Sequence, residues 1–518
     1  MKSLTTSIYT FEDLIAGGFL YVDKTEALWQ LLEPSKGIYF LSRPRRFGKS
    51  LTLSTLKAVF QGKKNLFKGL ALENKPHNWK EYPVIHLDLG ESGKRTAAQL
   101  EIYFEELICK VAHQYKIPLS NAGASAKFRE LIEKLSEDRK VVILIDEYDK
   151  PILNNATDPE VKNILQVLKA FYSVIKATEP YQRFVLLTGV SKFSRVSVFS
   201  DLNNLTDITM DAKFATMLGY TQEELEANFA GYIDQVMEPQ EIERKKLLDK
   251  LKEWYNGYKF HQKAETVYNP VSIGKFFESG GEFKNYWFET GTPSFLLKTA
   301  KEQQFDFEEK LSTPVSELAF ASYEIDKLNT LPLLFQTGYL TIKRTEEKKM
   351  TRYFLDFPNL EVELAFEAYL LDEYSSVDKE NVAVFTTDIA TMLEDGEIDD
   401  AMEKMKCFFA NIPYDIQIAN EKYYQTIFFV IFRLIGLFIE AEARTNKGRI
   451  DAVAQTDKYV YIFEFKLDGS TEEALKQIHE REYFQKYQDF GKELILVGAN
   501  FSTEIRNIET WETEAVKR

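Results

Sequence analysis

Cysteine is nearly missing from this chain. Only Cys109 and Cys407 occur among its 518 residues. Two distant cysteines build neither a disulfide framework nor a zinc cluster, so a reducing compartment is the simple expectation. Histidine is also scarce: His77, His86, His113, His261 and His479 show no metal-ligand spacing and no Ser-His-Asp or Cys-His order. No apolar stretch reaches the roughly 20 residues that cross a bilayer. The longest, IFFVIFRLIGLFI at Ile427–Ile439, is interrupted by Arg433 and reads as a buried helix. Met1–Ala16 lacks a charged segment followed by an apolar core, so no signal peptide is expected. Cytoplasmic localisation without a membrane partner follows as an expectation. Positive charge is in deficit, with a net charge of −15. That excludes a surface built to coat nucleic acid, but not a local basic groove or a site that meets phosphate through metal ions. Repeats and low-complexity tracts are absent, which sets solenoids aside.

What is present is core-forming material. Hydrophobic residues make up 44%, with 39 Phe and 27 Tyr, so global disorder is excluded. The length suggests roughly three domains. Composition and pattern divide the chain at 1–206, 207–376 and 377–518. The first part alternates strand candidates (Ile38–Leu41, Val84–Leu89, Val141–Ile145, Phe184–Leu187) with helical patterns such as Ala97–Tyr115 and Val161–Ala177. Alternation of this kind predicts an α/β fold with a parallel sheet covered by helices. The middle part is helical and rich in aromatic turns, among them WYNGYKF at Trp254–Phe260 and NYWFETGTPSFL at Asn285–Leu296. Within it, LPLLFQTGYLTIKRTEEKKMTRYFLDF reads as a helix end, a strand, a charged turn and a returning strand, like the hairpin of a winged helix. Lys343, Arg344, Lys348, Lys349 and Arg352 lie near its tip, mixed with Glu346 and Glu347. A solvated hairpin turn is the better account of that charge, since charge runs usually mark exposed faces. The last part reads as a separate α/β module: strands at Phe438–Arg444, Arg449–Gln455 and Tyr459–Phe465, a helix at Glu472–Tyr487 and a strand at Glu493–Val497.

The first chemistry lies in YFLSRPRRFGKSLTLSTLKAVF. A short apolar strand runs into a loop, and Gly48-Lys49-Ser50 opens a helix with apolar Leu51, Leu53, Leu56, Val59 and Phe60. Free N–H groups at a helix start attract phosphate, and the helix dipole adds to them. Gly48 allows close approach, Lys49 reaches the β- and γ-phosphates, and Ser50 ligates Mg²⁺. The usual loop opens with a glycine where this one has Arg43. Arg43, Arg45 and Arg46 offer extra charge, and Phe47 and Leu51 complete the candidate nucleotide-binding stretch. About 100 residues on, VVILIDEYDKP is an apolar strand ending in two acids: Asp146 is assigned to the metal and Glu147 to the general base. A third strand, in RFVLLTGVSKFSRVSVFSDLNNLTDIT, ends in polar residues that would face the ligand crevice. Thr188 or Ser191 would sense the γ-phosphate and Arg195 would stabilise transition-state charge. Loop packing explains these residues as readily.

The second chemistry lies in AEARTNKGRIDAVAQTDKYVYIFEFKL. Asp451 follows a glycine turn, and Glu464 and Lys466 stand two apart on the next strand, on one face. A hairpin would bring Asp451 and Glu464 together. Two carboxylates suit Mg²⁺ or Mn²⁺, with help from the Phe465 carbonyl, and Lys466 suits the attacking water. A half-exposed sheet with surface charges is the plainer alternative.

The words YVDKT, SRPRRFGKS, LIDEYDKP and GVSKFS…FSDLNNLTDIT, with the NGY and TGTP segments, resemble a bacterial and archaeal AAA-ATPase-like family. Its members often carry a C-terminal nuclease-like domain of the PD-(D/E)XK type. The resemblance covers nearly the whole chain. It implies that Arg43 is normal for this loop and that the fold is related to AAA and STAND ATPases. It also implies that Asp451, Glu464 and Lys466 are the three central nuclease positions. Glu442 and Glu421 then become candidates for an additional acid, and Gln477 matches a glutamine on the following helix. The expectation is an ATP- and Mg²⁺-dependent ATPase that regulates an endonuclease acting on nucleic acid, DNA favoured over RNA, in a chain compatible with homo-oligomers. The alternative is a STAND-like switch whose nuclease-like domain binds nucleic acid or a partner without cleaving. A processive helicase fits less well, because no second motor domain is found.

Overall fold

Apolar runs that alternate with amphipathic helices settle into a parallel sheet in the first part of the chain. The computed structural model describes residues 1–93, 95–156, 158–192, 202, 204–288, 294–303, 305, 307–320, 330–375, 379–412, 421–436, 440–446, 449–481, 485, 487 and 491–516. They form two units, Met1–Thr290 with Pro314–Val362 and Gly291–Thr313 with Glu363–Arg518.

In the first unit the strands are β1 (Gly37–Ser42), β2 (Val84–Asp88), β3 (Val141–Asp146), β4 (Gln182–Gly189) and the short β5 (Thr206–Asp207). They lie in the order β2-β3-β4-β1-β5, and every pairing is parallel. The four strands expected from the sequence are all there. Each residue of β3 is buried, as helices on both faces of a parallel sheet require. The helices Ala97–Gln114 and Val161–Ala177 match their expected positions closely. The first is closed by a reciprocal Thr96–Gln99 capping box, typically worth about 1 kcal/mol. Phe171 stacks between Phe104 and Phe128 at centroid distances of 4.3 and 4.8 Å, which fastens the helix layer. Because the strands are parallel, β1, β3 and β4 end on the same edge of the sheet. The sheet order puts β4 between β1 and β3, so its C-terminal end at Gly189 lies beside the ends of both.

The remainder of this unit is mostly helical. Phe229 and Phe277 stack at 5.3 Å within a buried cluster that includes Leu225, Ile233, Leu247 and Ile273. The helix Thr330–Thr337 leads into a hairpin of β6 (Thr341–Glu347) and β7 (Thr351–Asp356), as the sequence predicts. Arg344 pairs with Glu346 at 2.5 Å and lies 3.7 Å over the Phe354 ring, so the charge at the tip is partly neutralised from within.

The second unit holds a mixed sheet of β8 (Glu440–Asn446), β9 (Arg449–Gln455), β10 (Tyr459–Leu467), β11 (Glu493–Ser502) and β12 (Asn507–Ala515). The order is β12-β11-β10-β9-β8. Only the β10–β11 pairing is parallel, joined by the helix Thr471–Glu480. That helix stops short of the expected Tyr487. The strand β12 was not foreseen: of its residues only Ile508 is buried, so an edge strand like this shows no alternation to read. The apolar run centred on Phe432 is a buried helix, Glu421–Ile435, as expected. Arg433 is accommodated in it by ion pairs to Glu363 and Glu367. Arg433 is partly buried and Glu367 almost fully so, and charges withdrawn from water are tolerated when paired in this way.

Candidate functional sites

The strand β1 delivers the chain into the loop Arg43–Gly48, and Lys49 opens the helix Lys49–Phe60. Two backbone positions make the turn: Gly48 at φ 92° and Arg46 at φ 66°. Glycine accepts a left-handed conformation freely and arginine does not, so the loop holds strain at Arg46. Lys49 is 7% exposed, and its ammonium donates to the carbonyl oxygens of Arg43 at 3.0 Å and Pro44 at 2.9 Å. Burial pushes its pKa down, opposed by the charges of Asp146, Glu147 and Asp149.

The Asp146 carboxylate, at the end of β3, gathers three donors. Ser50 Oγ donates to its Oδ2 at 2.5 Å. Thr188 Oγ1 and the Glu147 amide donate to its Oδ1 at 2.6 and 3.0 Å. Three sequence segments thus converge on one carboxylate. The facing Ser50 and Asp146 oxygens are hard donors of the kind Mg²⁺ accepts, so the residues fit such an ion. Glu147 follows in a left-handed conformation, φ 51°, which costs a non-glycine residue about 1–3 kcal/mol. Its side chain lies 3.3 Å from Lys150 Nζ and is about one-third exposed. Asp88, at the end of β2, is the register partner of Asp146. Burial, together with Asp146, Glu147 and Glu91, pushes its carboxyl up.

Several side chains occupy other places than the sequence suggests. Arg43 is 1% exposed and donates to the carbonyl oxygens of Ser42, Thr209 and Phe214, with its guanidinium 4.1 Å over Phe260. Its charge therefore braces the loop from behind instead of meeting phosphate, and burial pushes its pKa down to about 9. Phe47 is likewise buried, edge-on to Tyr258 and Phe260. Arg45 and Arg46 are exposed and Leu51 is half-buried. Ser191 turns to Asp149, not to the loop. Arg195 lies outside the described residues.

The second site is built on adjacent strands. Asp451 on β9 and Glu464 on β10 are direct cross-strand partners. Glu464 is fully buried. Lys466 donates to Glu464 Oε1 at 3.0 Å and to Gln477 Oε1 on the helix Thr471–Glu480. The Gln477 amide nitrogen is buried and has no hydrogen-bond partner among the described residues. Asn500 on β11 is the register partner of Lys466 and is buried beside it in the sheet. The side chains of Asp451, Glu442 and Glu421 lie outside the described residues; Glu442 pairs with Val453 through the backbone and Glu421 begins its helix. Among the described residues no group of three or more His, Cys, Asp or Glu is arranged to hold a metal. The buried Glu464 carboxylate is an oxygen donor of the kind a divalent ion accepts, and its register partner on β9 is an aspartate residue.

Two contributors escaped the sequence reading. Asp149 is a buried acid at the β3 exit, visible in the sequence only as the third acid of DEYD. Trp287 Nε1 donates to the Arg45 carbonyl at 3.1 Å, from an aromatic segment far along the chain. No helix among the described residues is long and apolar enough to cross a membrane.

Comparison with known proteins shows the family. A family of predicted AAA-ATPases matches residues 5–199, and the PD-(D/E)XK nuclease superfamily matches residues 419–511. An uncharacterised protein encoded in the vnfD 5′ region of Azotobacter chroococcum mcd 1 is 36% identical over 527 residues, covering 99% of both chains. Among solved structures, the Aeropyrum pernix ORC2 protein in ADPNP–ADP complexes matches at 10% identity over 70% of this chain and 92% of that one. Its TM-score of 0.19 is too low to carry weight. The chain belongs to the AAA-ATPase-like family, with an N-terminal phosphate-loop ATPase region and a C-terminal region of the PD-(D/E)XK nuclease superfamily.

Proposed function

We propose that the chain is a Mg²⁺-dependent ATPase whose nucleotide state controls a C-terminal phosphodiesterase centre acting on nucleic acid, with DNA the favoured substrate. The observation that carries this reading is the single Asp146 carboxylate held by Ser50 of the phosphate loop and Thr188 of β4. Lys49 would exchange its two carbonyl partners for β- and γ-phosphate oxygens, and the free amides at the helix start would cradle them. Ser50 and Asp146 would hold the ion. When bound, Mg²⁺ would supply Lewis-acid polarisation and charge neutralisation on the phosphates. Glu147 would orient and deprotonate the attacking water. Thr188 would keep Asp146 aligned and report on the γ-phosphate.

In the C-terminal region, Asp451, Glu464 and the Phe465 carbonyl would hold Mg²⁺ or Mn²⁺. Lys466, oriented by Glu464 and Gln477, would position the hydrolytic water. The reading keeps three parts, 1–206, 207–376 and 377–518, with the hairpin of the middle part as a winged element. It places the protein in the cytoplasm, as a monomer or homo-oligomer.

A second reading has a specific observation behind it. Lys466 is only 14% exposed and is engaged by Glu464 and Gln477. A lysine so held suits a binding surface of a STAND-like switch as well as a cleavage centre.

The test is a cleavage panel of plasmid, linear and single-stranded DNA and of RNA, with Mg²⁺ or Mn²⁺, with and without ATP. Wild type is compared with Lys49→Ala and Lys466→Ala. Cleavage lost in Lys466→Ala and altered in Lys49→Ala supports the ATP-controlled nuclease. No cleavage, with ATP hydrolysis intact and lost in Lys49→Ala, favours the switch.

A further inference from the structure

Beyond the last rungs of the sheet, the exits of β3 and β4 are still fastened to each other. The Tyr148 amide donates to the Thr188 carbonyl at 3.0 Å, and the Tyr148 hydroxyl to the Ser191 carbonyl at 2.9 Å. The centre of this brace is Asp149, 1% exposed. One oxygen, Oδ2, takes the Val190 amide at 3.0 Å, the Ser191 amide at 2.6 Å and the Ser191 hydroxyl at 2.6 Å. The other oxygen fills the space beside Gly189. A Cβ there would lie 2.7 Å from Asp149 Oδ1 and 2.6 Å from the Tyr148 ring, so no other residue fits without displacing the brace. On its far side, Gly189 accepts the Arg43 amide at 3.1 Å. The β4 exit is therefore clamped between the phosphate loop and the acidic turn.

Burying a carboxylate is costly, and an apolar residue would serve a purely structural purpose with less penalty. What the carboxylate does here is hold two functional segments in register. It sits two residues after Glu147, whose left-handed backbone the turn must maintain. It anchors the segment whose Thr188 hydroxyl holds Asp146. Its charge is also felt by Lys49.

We propose that Asp149 is a positioning residue for the phosphate site: its carboxylate locks the β4 exit so that Thr188 keeps Asp146 in line with Ser50, and fixes the turn that aims Glu147. It touches neither nucleotide nor metal. This rests on the ATPase reading above.

The experiment uses the full chain and measures affinity for a fluorescent ATP analogue with and without Mg²⁺, alongside steady-state ATP hydrolysis. Variants are Asp149→Ala, Asp149→Asn and the milder Ser191→Ala, with Lys49→Ala as the control for the site itself. Groups that orient metal-holding residues typically contribute about 10–100-fold. Asp149→Ala is expected to lower kcat by about that factor and to abolish the tightening of nucleotide binding by Mg²⁺, with Mg²⁺-free affinity kept within about threefold. Asp149→Asn, whose amide oxygen still accepts the two amides, is expected to recover part of both, and Ser191→Ala to lose only a small part. Unchanged kcat and unchanged Mg²⁺ tightening in a folded Asp149→Ala overturn the proposal. Equal loss of Mg²⁺-free affinity overturns it too, because the pocket has then simply collapsed. Where Asp149→Ala does not fold, Asp149→Asn and Ser191→Ala decide by the same two readouts. Wild type that binds nucleotide but does not hydrolyse it removes the ATPase reading alone. The Mg²⁺ tightening then still decides the role of Asp149.

Discussion

The two candidate sites are assembled in opposite ways. In the first unit a parallel sheet gathers Ser50, Asp146 and Thr188, residues far apart in sequence, at one edge. In the second unit a mixed sheet places Asp451, Glu464, Lys466 and Gln477 within one short stretch, on two neighbouring strands and the next helix. Parallel strands need long crossovers, so a site at their ends is necessarily scattered along the chain. An antiparallel pair needs only a turn, so its site is contiguous. A scattered site depends on braces that hold its loops together, and a contiguous one depends on strand register.

The largest expected effect separates the two regions chemically. Lys49→Ala should lower ATP hydrolysis by at least about 100-fold, because it removes the buried ammonium that is proposed to meet the phosphates. Lys466→Ala should leave ATP hydrolysis intact and remove any metal-dependent cleavage. Measuring both activities in both variants checks the separation. A Lys466→Ala protein that loses ATP hydrolysis to the same degree would break the comparison.

The same contrast explains what could be read in advance. The contiguous site was legible from strand period alone: Glu464 and Lys466 two apart, Asp451 opposite across a turn. The scattered site was legible only because its pieces are motif words, RPRRFGKS and LIDEY. The braces were not legible. Arg43 reads as a phosphate-seeking arginine, since nothing local shows that the carbonyls of Thr209 and Phe214 will surround it. Trp287 and Asp149 belong to segments whose partners are set by tertiary packing. The strand β12 carried no pattern, because an edge exposes both faces.

Next in size is the brace behind the phosphate loop. Arg43→Met should destabilise the first unit by about 2–4 kcal/mol, because three carbonyl oxygens lose a charged donor. Chemical denaturation should show this in the first unit's transition and not the second's. A phosphate ligand would behave differently, raising the KM for ATP with stability unchanged. Trp287→Phe should follow with a smaller effect. It keeps the ring packing on Tyr339 but removes the donor to Arg45, a loss of about 1 kcal/mol, read as a severalfold rise in the KM for ATP.

The smallest effect tests whether acid also separates the units. Glu130, in the first unit, accepts from Lys134 at 2.8 Å and from the Asn121 and Ser120 amides at 2.9 Å, and these hold its carboxyl at about 2. An ordinary glutamate titrates near about 4.3. A depressed carboxyl stabilises the fold fully above the unfolded value and loses that contribution as pH falls through the folded one. Glu130→Gln should therefore lower the first unit's stability at neutral pH, with the gap to wild type closing between about pH 4 and pH 2. Denaturation of both proteins across that range checks the sign. A gap that persists at pH 2 would mean that shape, not charge, holds the 120–121 turn in place, and the first unit would then be no more dependent on its carboxylates than the second.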